Sequence, residues 1–300
     1  MRVGLELFFS LGRETMGMET GAVRIQEGSV GSEDAVSVVA REVVESVREE
    51  QLSFFGKRRS RMRVELVERD LRVLEFMLDM KFAGCAEVFE KFFSRVHDGE
   101  VLAASHEWTR KRLRQLTQGG FLRAGVGIHG GASVYFATFK AYYALSSVYP
   151  ERVFPKPTGG LDLRTFVHDR ELLAVRMEYE RTMPGVSWVS DRRLKQGFAS
   201  GIGLAGVHVP DALIDLPGVG TAALELEIAM KSRDRYRDKV ARYVRLIRDS
   251  RTKPNGLRRV IYRCLREPVF EALSKECRVY GDMFEVVLSK STITKLRGGK

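Results

Sequence analysis

The chain has 300 residues, 44% of them hydrophobic, with 50 Lys and Arg against 39 Asp and Glu for a formal net charge of +11; this is a foldable composition with room for roughly two domains. Only three cysteines occur, Cys85, Cys264 and Cys277, scattered and odd in number, which excludes a disulfide scaffold and predicts reduced thiols in a cytoplasmic protein. The apolar patch at Leu7 to Leu11 is too short for a signal core, and the longest uncharged runs, 124–139 and 196–210, are studded with glycine and too short for a bilayer, so a soluble chain with no membrane partner is expected.

Residues 1–32 are glycine-rich and weakly patterned, and no function is assigned to them. In residues 33–63, Glu33 to Leu52 predicts an amphipathic helix with a stripe of Val36, Val39, Val43, Val44 and Val47, suited to packing back on the body or pairing with another copy, so an oligomer is one expectation. The tract Lys57-Arg58-Arg59-Ser60-Arg61 follows. It suits a phosphate backbone and a solubilising linker equally.

Residues 64–150 are expected to form a DNA-binding unit. Leu71, Leu74, Met77 and Leu78 repeat at helical spacing, as do Cys85, Val88, Phe89, Phe92 and Phe93, and Ser94 to Ala104 reads as a polar connection containing Asp98-Gly99. A third helix, capped by Ser105 and ended by Gly119-Gly120, places Trp108, Leu113 and Leu116 on one face. Arg110, Lys111, Arg112 and Arg114 crowd the others. Beyond it, Phe121 to Arg123 and Val134 to Ala137 predict two strands joined by a glycine-rich loop. Three short helices with a basic third one, followed by a strand pair, are the sequence pattern of a winged helix whose third helix enters the major groove of double-stranded DNA.

The Pro155-Lys156-Pro157 segment predicts a linker to a second, α/β domain at 161–292. A helix is expected from about Arg164 to Met183, with Leu172, Leu173, Val175, Met177 and Tyr179 inside and His168, Asp169 and Glu171 near its start, where acids suit the helix dipole. Gly201-Ile202-Gly203-Leu204-Ala205-Gly206 matches the dinucleotide fingerprint in letters only, because it lacks a convincing strand before it and a helix after it.

The informative stretch is a predicted hairpin, Pro210 to Leu216 and Ala223 to Lys231. Period-two alternation puts Leu224, Leu226, Ile228 and Met230 on one face and Glu225, Glu227, Ala229 and Lys231 on the other. With Asp211 on the paired strand, this is an oxygen-rich set able to hold Mg²⁺ or Mn²⁺, Asp211 and Glu225 being the candidate metal ligands, with Lys231 placed to stabilise charge on a phosphate. A solvent-facing polar strand is the other reading. Behind the hairpin, residues 232–266 carry 13 basic and 3 acidic groups. Their helix is expected to turn Tyr236, Val240, Tyr243, Val244 and Ile247 inward and its cations, Arg233, Arg235, Arg237 and Lys239 among them, elsewhere, which makes Arg233, Arg235 and Arg237 further DNA-binding candidates.

Taken together, Pro210-Asp211, Glu225-Leu226-Glu227 and Lys231-Ser232 before an Arg/Tyr-rich helix resemble the PD-(D/E)XK nuclease-like fold, and in particular the replication-relaxation family of mobile-element proteins. That family is similar in its segment like Glu68 to Leu74, its His-Asp pair (His168-Asp169) and its Ser-acidic-Arg triplet (Ser190-Asp191-Arg192), so the resemblance covers roughly residues 64–290. It implies a DNA-binding accessory of plasmid replication or conjugative mobilisation that works beside a relaxase. The spacing departs from the nuclease pattern: position 227 is Glu where that pattern has Lys, and Lys231 follows four residues later. Three readings therefore stand: a non-cutting DNA-binding accessory; an Mg²⁺- or Mn²⁺-dependent endonuclease with Asp211, Glu225, Glu227 and Lys231 as its catalytic set; and an interaction scaffold or transcriptional regulator of a mobile element.

Overall fold

The structure, a computed structural model, describes residues 64–97, 100–103, 106–125, 133–160, 162–198, 209–250, 252–253 and 256–290. The expectations for residues 1–63, for the Ser105 cap, for most of the loop between Ala124 and Ser133 and for the Gly201 to Gly206 motif lie outside the described residues.

The front half begins with helix α1 (Glu68–Met80), whose first turn is closed by the Val67 amide donating to Asp70 Oδ2 at 3.0 Å. A two-residue strand β1 (Ala83–Gly84) leads into α2 (Cys85–Val88), which widens into a π-helical turn over Phe89–Phe93. The expected polar connection is instead a hairpin, β2 (Ser94–His97) paired antiparallel with β3 (Glu100–Ala103). Its signal was Asp98-Gly99 between Val96 and Val101, a common hairpin turn dipeptide flanked by β-branched residues.

Helix α3 (His106–Gln118) follows, then β4 (Leu122–Gly125) and β5 (Val134–Ala137). β5 is the centre of a three-stranded antiparallel sheet in the order β1-β5-β4. On α3, Leu113 and Leu116 are buried as their spacing demands, but Trp108 is 62% exposed and Thr109 takes the inward position near the start of the helix. Gly120 turns the chain off the helix with φ +79°, a conformation that favours glycine, and Lys140 donates to the Gly119 carbonyl at 3.0 Å. Lys140 belongs to a further helix, α4 (Phe139–Val148).

The back half is a three-layer arrangement around a five-stranded sheet. Its elements are α5 (Phe166–Thr182), β6 (Ser187–Ser190), the short α6 (Asp191–Arg193), β7 (Ala212–Leu216), β8 (Gly220–Glu227), α7 (Arg233–Ser250), β9 (Arg259–Cys264), α8 (Glu267–Cys277) and β10 (Phe284–Leu288). The strands lie in sequence order, β6 and β7 antiparallel to their successors and β8, β9 and β10 parallel. Parallel neighbours need crossovers, and α7 and α8 supply them. Both cover one face of the sheet, against Leu213, Ala223, Val260, Tyr262 and Cys264. α5 covers the other, against Ile214, Leu224, Leu226 and Ile261. The chain is thus of mixed α/β class, with β8 at the middle of the sheet.

The two halves share one core: the apolar cluster that holds α5 and this face of the sheet also contains α1, Phe136 and Leu145 of the front half. Polar ties cross beside it. Arg193 Nε donates to Asp79 Oδ1 at 2.6 Å and its guanidinium also meets Glu75, while Lys81 Nζ pairs with Asp169 Oδ1 at 2.6 Å. Arg192 donates to the carbonyls of Leu78 and Lys156, and Lys91 pairs with Glu180. Among the described residues no helix is long and apolar enough to cross a membrane.

Candidate functional site

Two places carry the chemistry anticipated from the sequence: the acidic end of β8 and the basic face of α3.

Glu225 and Glu227 alternate with Leu224 and Leu226 on β8 and therefore share the face covered by α7. Both are only 2% exposed. Carboxylates so deeply placed need counter-charge and hydrogen bonds, and α7 provides them. Lys239 Nζ lies 2.8 Å from Glu225 Oε2 and 2.7 Å from Glu227 Oε1, bridging the two acids. The Tyr243 hydroxyl donates to Glu225 Oε1. Burial, reinforced by Glu225, raises the Tyr243 phenol well above its usual value, so it remains a donor. Burial alone would pull the Lys239 amine down, but Glu225 and Glu227 outweigh it and raise it, so it stays an ammonium.

Lys239 corrects the expectation that it points away with the other cations of α7. It lies three residues after Tyr236 and four before Tyr243, so it belongs to the inward stripe by spacing, and its apparent misfit as a cation is resolved by the two acids facing it. The strand is also shorter than expected. It stops at Glu227 and the chain bends, so Met230, expected to share a strand face with Leu224 and Leu226, lies beyond the strand and is 49% exposed. Lys231 lies beyond the strand end and reaches back to Glu227 Oε2 at 2.7 Å.

Asp211 has different partners, although its charge also acts on Tyr243. Its Oδ2 accepts the Leu226 amide at 2.8 Å and faces His168 Nε2 at 3.2 Å, closing the open end of the β7–β8 ladder. His168 is held between Asp211 and Asp169; burial alone would lower it, but the two carboxylates raise it to about 10, so the imidazole is charged at neutral pH. Asp169 also accepts from Lys81 and from Thr165 Oγ1, which ties the start of α5 to the front half rather than merely capping a helix.

This donor set does not fit Mg²⁺ or Mn²⁺. Lys239 takes the position between Glu225 and Glu227 that a shared cation would need, and Asp211 Oδ2 is committed to an amide and an imidazolium. Among the described residues no group of three His, Cys, Asp or Glu side chains is placed to hold a metal.

On α3, Arg110, Lys111 and Arg114 are exposed, and Lys111 lies over the Trp108 ring at 5.1 Å. Arg112 differs. Its Nε donates to Asp70 Oδ1 at 3.0 Å and its Nη2 to the Glu65 carbonyl at 2.7 Å, pinning α3 to the start of α1. Asp70 is fully buried, so Arg112 serves as its counter-ion. On α7, Arg233 pairs with Glu276 at 2.6 Å and Arg237 leans toward Asp234 and Glu276, while Arg235 is exposed.

No protein-family model matches the chain, and no curated protein sequence matches it significantly.

Proposed function

We propose that the protein is a DNA-binding accessory of plasmid replication or conjugative mobilisation in which a winged helix grips duplex DNA and a PD-(D/E)XK-like sheet domain supports it without cutting. One observation carries this reading: α3 buries Leu113 and Leu116 and presents Arg110, Lys111 and Arg114 to solvent, within a unit ordered helix, strand, helix, β2–β3 hairpin, helix, strand, strand. Apart from the hairpin inserted before α3, that order, with β1 joining the β4–β5 pair in one three-stranded sheet, agrees with a winged helix and supports a third helix seated in a major groove.

The back half supports the nuclease-like resemblance in its order of elements, a helix, three antiparallel strands, and two helix-linked parallel strands. Its acids argue against catalysis. Metal-assisted phosphodiester cleavage needs carboxylates open to a cation and to the scissile phosphate. Here Glu225 and Glu227 are buried, their charge is answered by Lys239 and Lys231, and Tyr243 donates a hydrogen bond to Glu225. On this reading the protein acts in the cytoplasm beside a relaxase, and the sheet domain contributes a scaffold.

Fluorescence anisotropy with duplexes from a mobilisable element's origin tests the reading. Binding is expected to weaken linearly in log–log salt, and charge reversal at Arg110, Lys111 and Arg114 to lower affinity by at least about 10²-fold and flatten the slope by about 3. An unchanged affinity in the triple variant would remove α3 from the interface. Supercoiled plasmid is expected to stay intact with Mg²⁺ or Mn²⁺. Cutting that is lost in Glu225→Gln would restore the endonuclease reading.

A further inference from the structure

Where the front half meets the sheet domain, the surface forms a concavity of about 260 Å³ lined by Lys81, Pro155, Lys156, Asp191, Arg192, Lys195 and Gln196. Four of these residues are cationic and one is acidic. Each cation is supplied by a different piece of chain or a different turn: Lys81 follows α1, Lys156 lies in the proline-containing connection, Arg192 is in α6 and Lys195 is in the turn after it.

Arg192 anchors the arrangement. Its Nη1 and Nη2 donate to the carbonyls of Leu78 and Lys156, so the guanidinium is held by neutral acceptors from the front half and the connection. Among the described residues no carboxylate stands within ion-pair distance of it. Lys81 and Lys195 are paired, with Asp169 at 2.6 Å and Asp191 at 2.8 Å, while Lys156 is exposed. Asp191, Asp79 and Asp169 act on Arg192 only from beyond ion-pair distance, so a guanidinium fixed in direction by two carbonyls and flanked by Lys156 and Lys195 offers the donors that recognise a tetrahedral oxyanion.

We propose that this concavity is a phosphate-binding site, distinct from α3 and independent of the acids on β8. Its ligand chemistry is a phosphate group, supplied either by the backbone of a nucleic acid or by a free phosphate compound. If the ligand is the duplex assigned to α3, the site rests on that reading and is a second anchor beside it.

The experiment uses the full chain, with pyrophosphate as the free probe in thermal-shift titrations at fixed ionic strength, and anisotropy of a duplex as the other arm. The variant is Lys156→Glu with Lys195→Glu, two exposed residues whose reversal leaves the Arg192 anchor in place. The wild type is expected to show a saturable rise in melting temperature with pyrophosphate that the double variant loses. A duplex affinity that falls about tenfold in the same variant, with a salt slope lower by about 1 to 2, identifies a nucleic-acid backbone as the source. Unchanged duplex binding identifies a free phosphate compound. Charge reversal at Arg110, Lys111 and Arg114 is expected to leave the pyrophosphate response intact, which separates failure of the α3 reading from failure of this one. Absence of a saturable response in the wild type, or its persistence in the double variant, overturns the proposal.

Discussion

The ammonium of Lys239 lies 2.8 Å from Oε2 of Glu225, and the same nitrogen lies 2.7 Å from Glu227, so a single lysine of α7 answers both acids of the central strand. Removing one member of a buried pair leaves the other charge without compensation, which is far more damaging than the pair's net contribution. Lys239→Met is expected to lower stability by about 3–5 kcal/mol in urea unfolding. Adding Glu225→Gln and Glu227→Gln to it is expected to recover part of that loss. Because Lys239 fills the position, the melting temperature of the wild type is expected to be unmoved by Mg²⁺ or Mn²⁺ at constant ionic strength.

Arg112 and its neighbours on α3 separate by role. Arg112→Met strips the counter-ion from fully buried Asp70 and is expected to destabilise by about 3 kcal/mol or more. Arg110→Ala and Arg114→Ala change exposed groups and are expected to stay within about 0.5 kcal/mol while weakening duplex binding. Chemical denaturation beside anisotropy on the same preparations checks the division. Equal stability of all three variants would contradict it.

Acid lability is expected from Glu180. Burial alone would raise its carboxyl, but Arg176 and Lys91 pull it below its ordinary 4.5. A carboxylate depressed in the folded state contributes stability that is complete above the unfolded value and lost as pH falls through the folded one. Unfolding midpoints measured from pH 6 down to pH 3 are expected to decline more steeply in the wild type than in Glu180→Gln.

Gly256 is held by close packing. A Cβ at this position would come 1.9 Å from the backbone oxygen of Ser250, at the end of α7, where the Ser250 hydroxyl also donates to the Leu257 carbonyl. The crowding atom is main chain and cannot swing aside. Gly256→Ala is expected to cost about 2 kcal/mol or more, read as a drop in melting temperature.

Much of this protein was determined by sequence alone. The alternation of Glu225 and Glu227 with Leu224 and Leu226, the inward stripe of α7, the basic surface of α3 and the mixed α/β order follow from local periodicities of 2 and 3.6, which any short segment carries within itself. Trp108 and Met230 were misplaced because a large apolar side chain near the end of an element has no spacing rule strong enough to bury it when no neighbour covers it.

The tertiary structure alone decided what meets each face. That Lys239 answers Glu225 and Glu227, that Arg112 belongs to Asp70, and that Lys81, Lys156, Arg192 and Lys195 border one concavity depend on groups 12, 14, 42 and more than 100 residues apart in sequence. A charge in the sequence is only a charge. Whether it is a counter-ion, a contact or a ligand depends on burial and on the partner the fold brings to it, because both the desolvation that opposes it and the Coulomb attraction that holds it are set by distance in space.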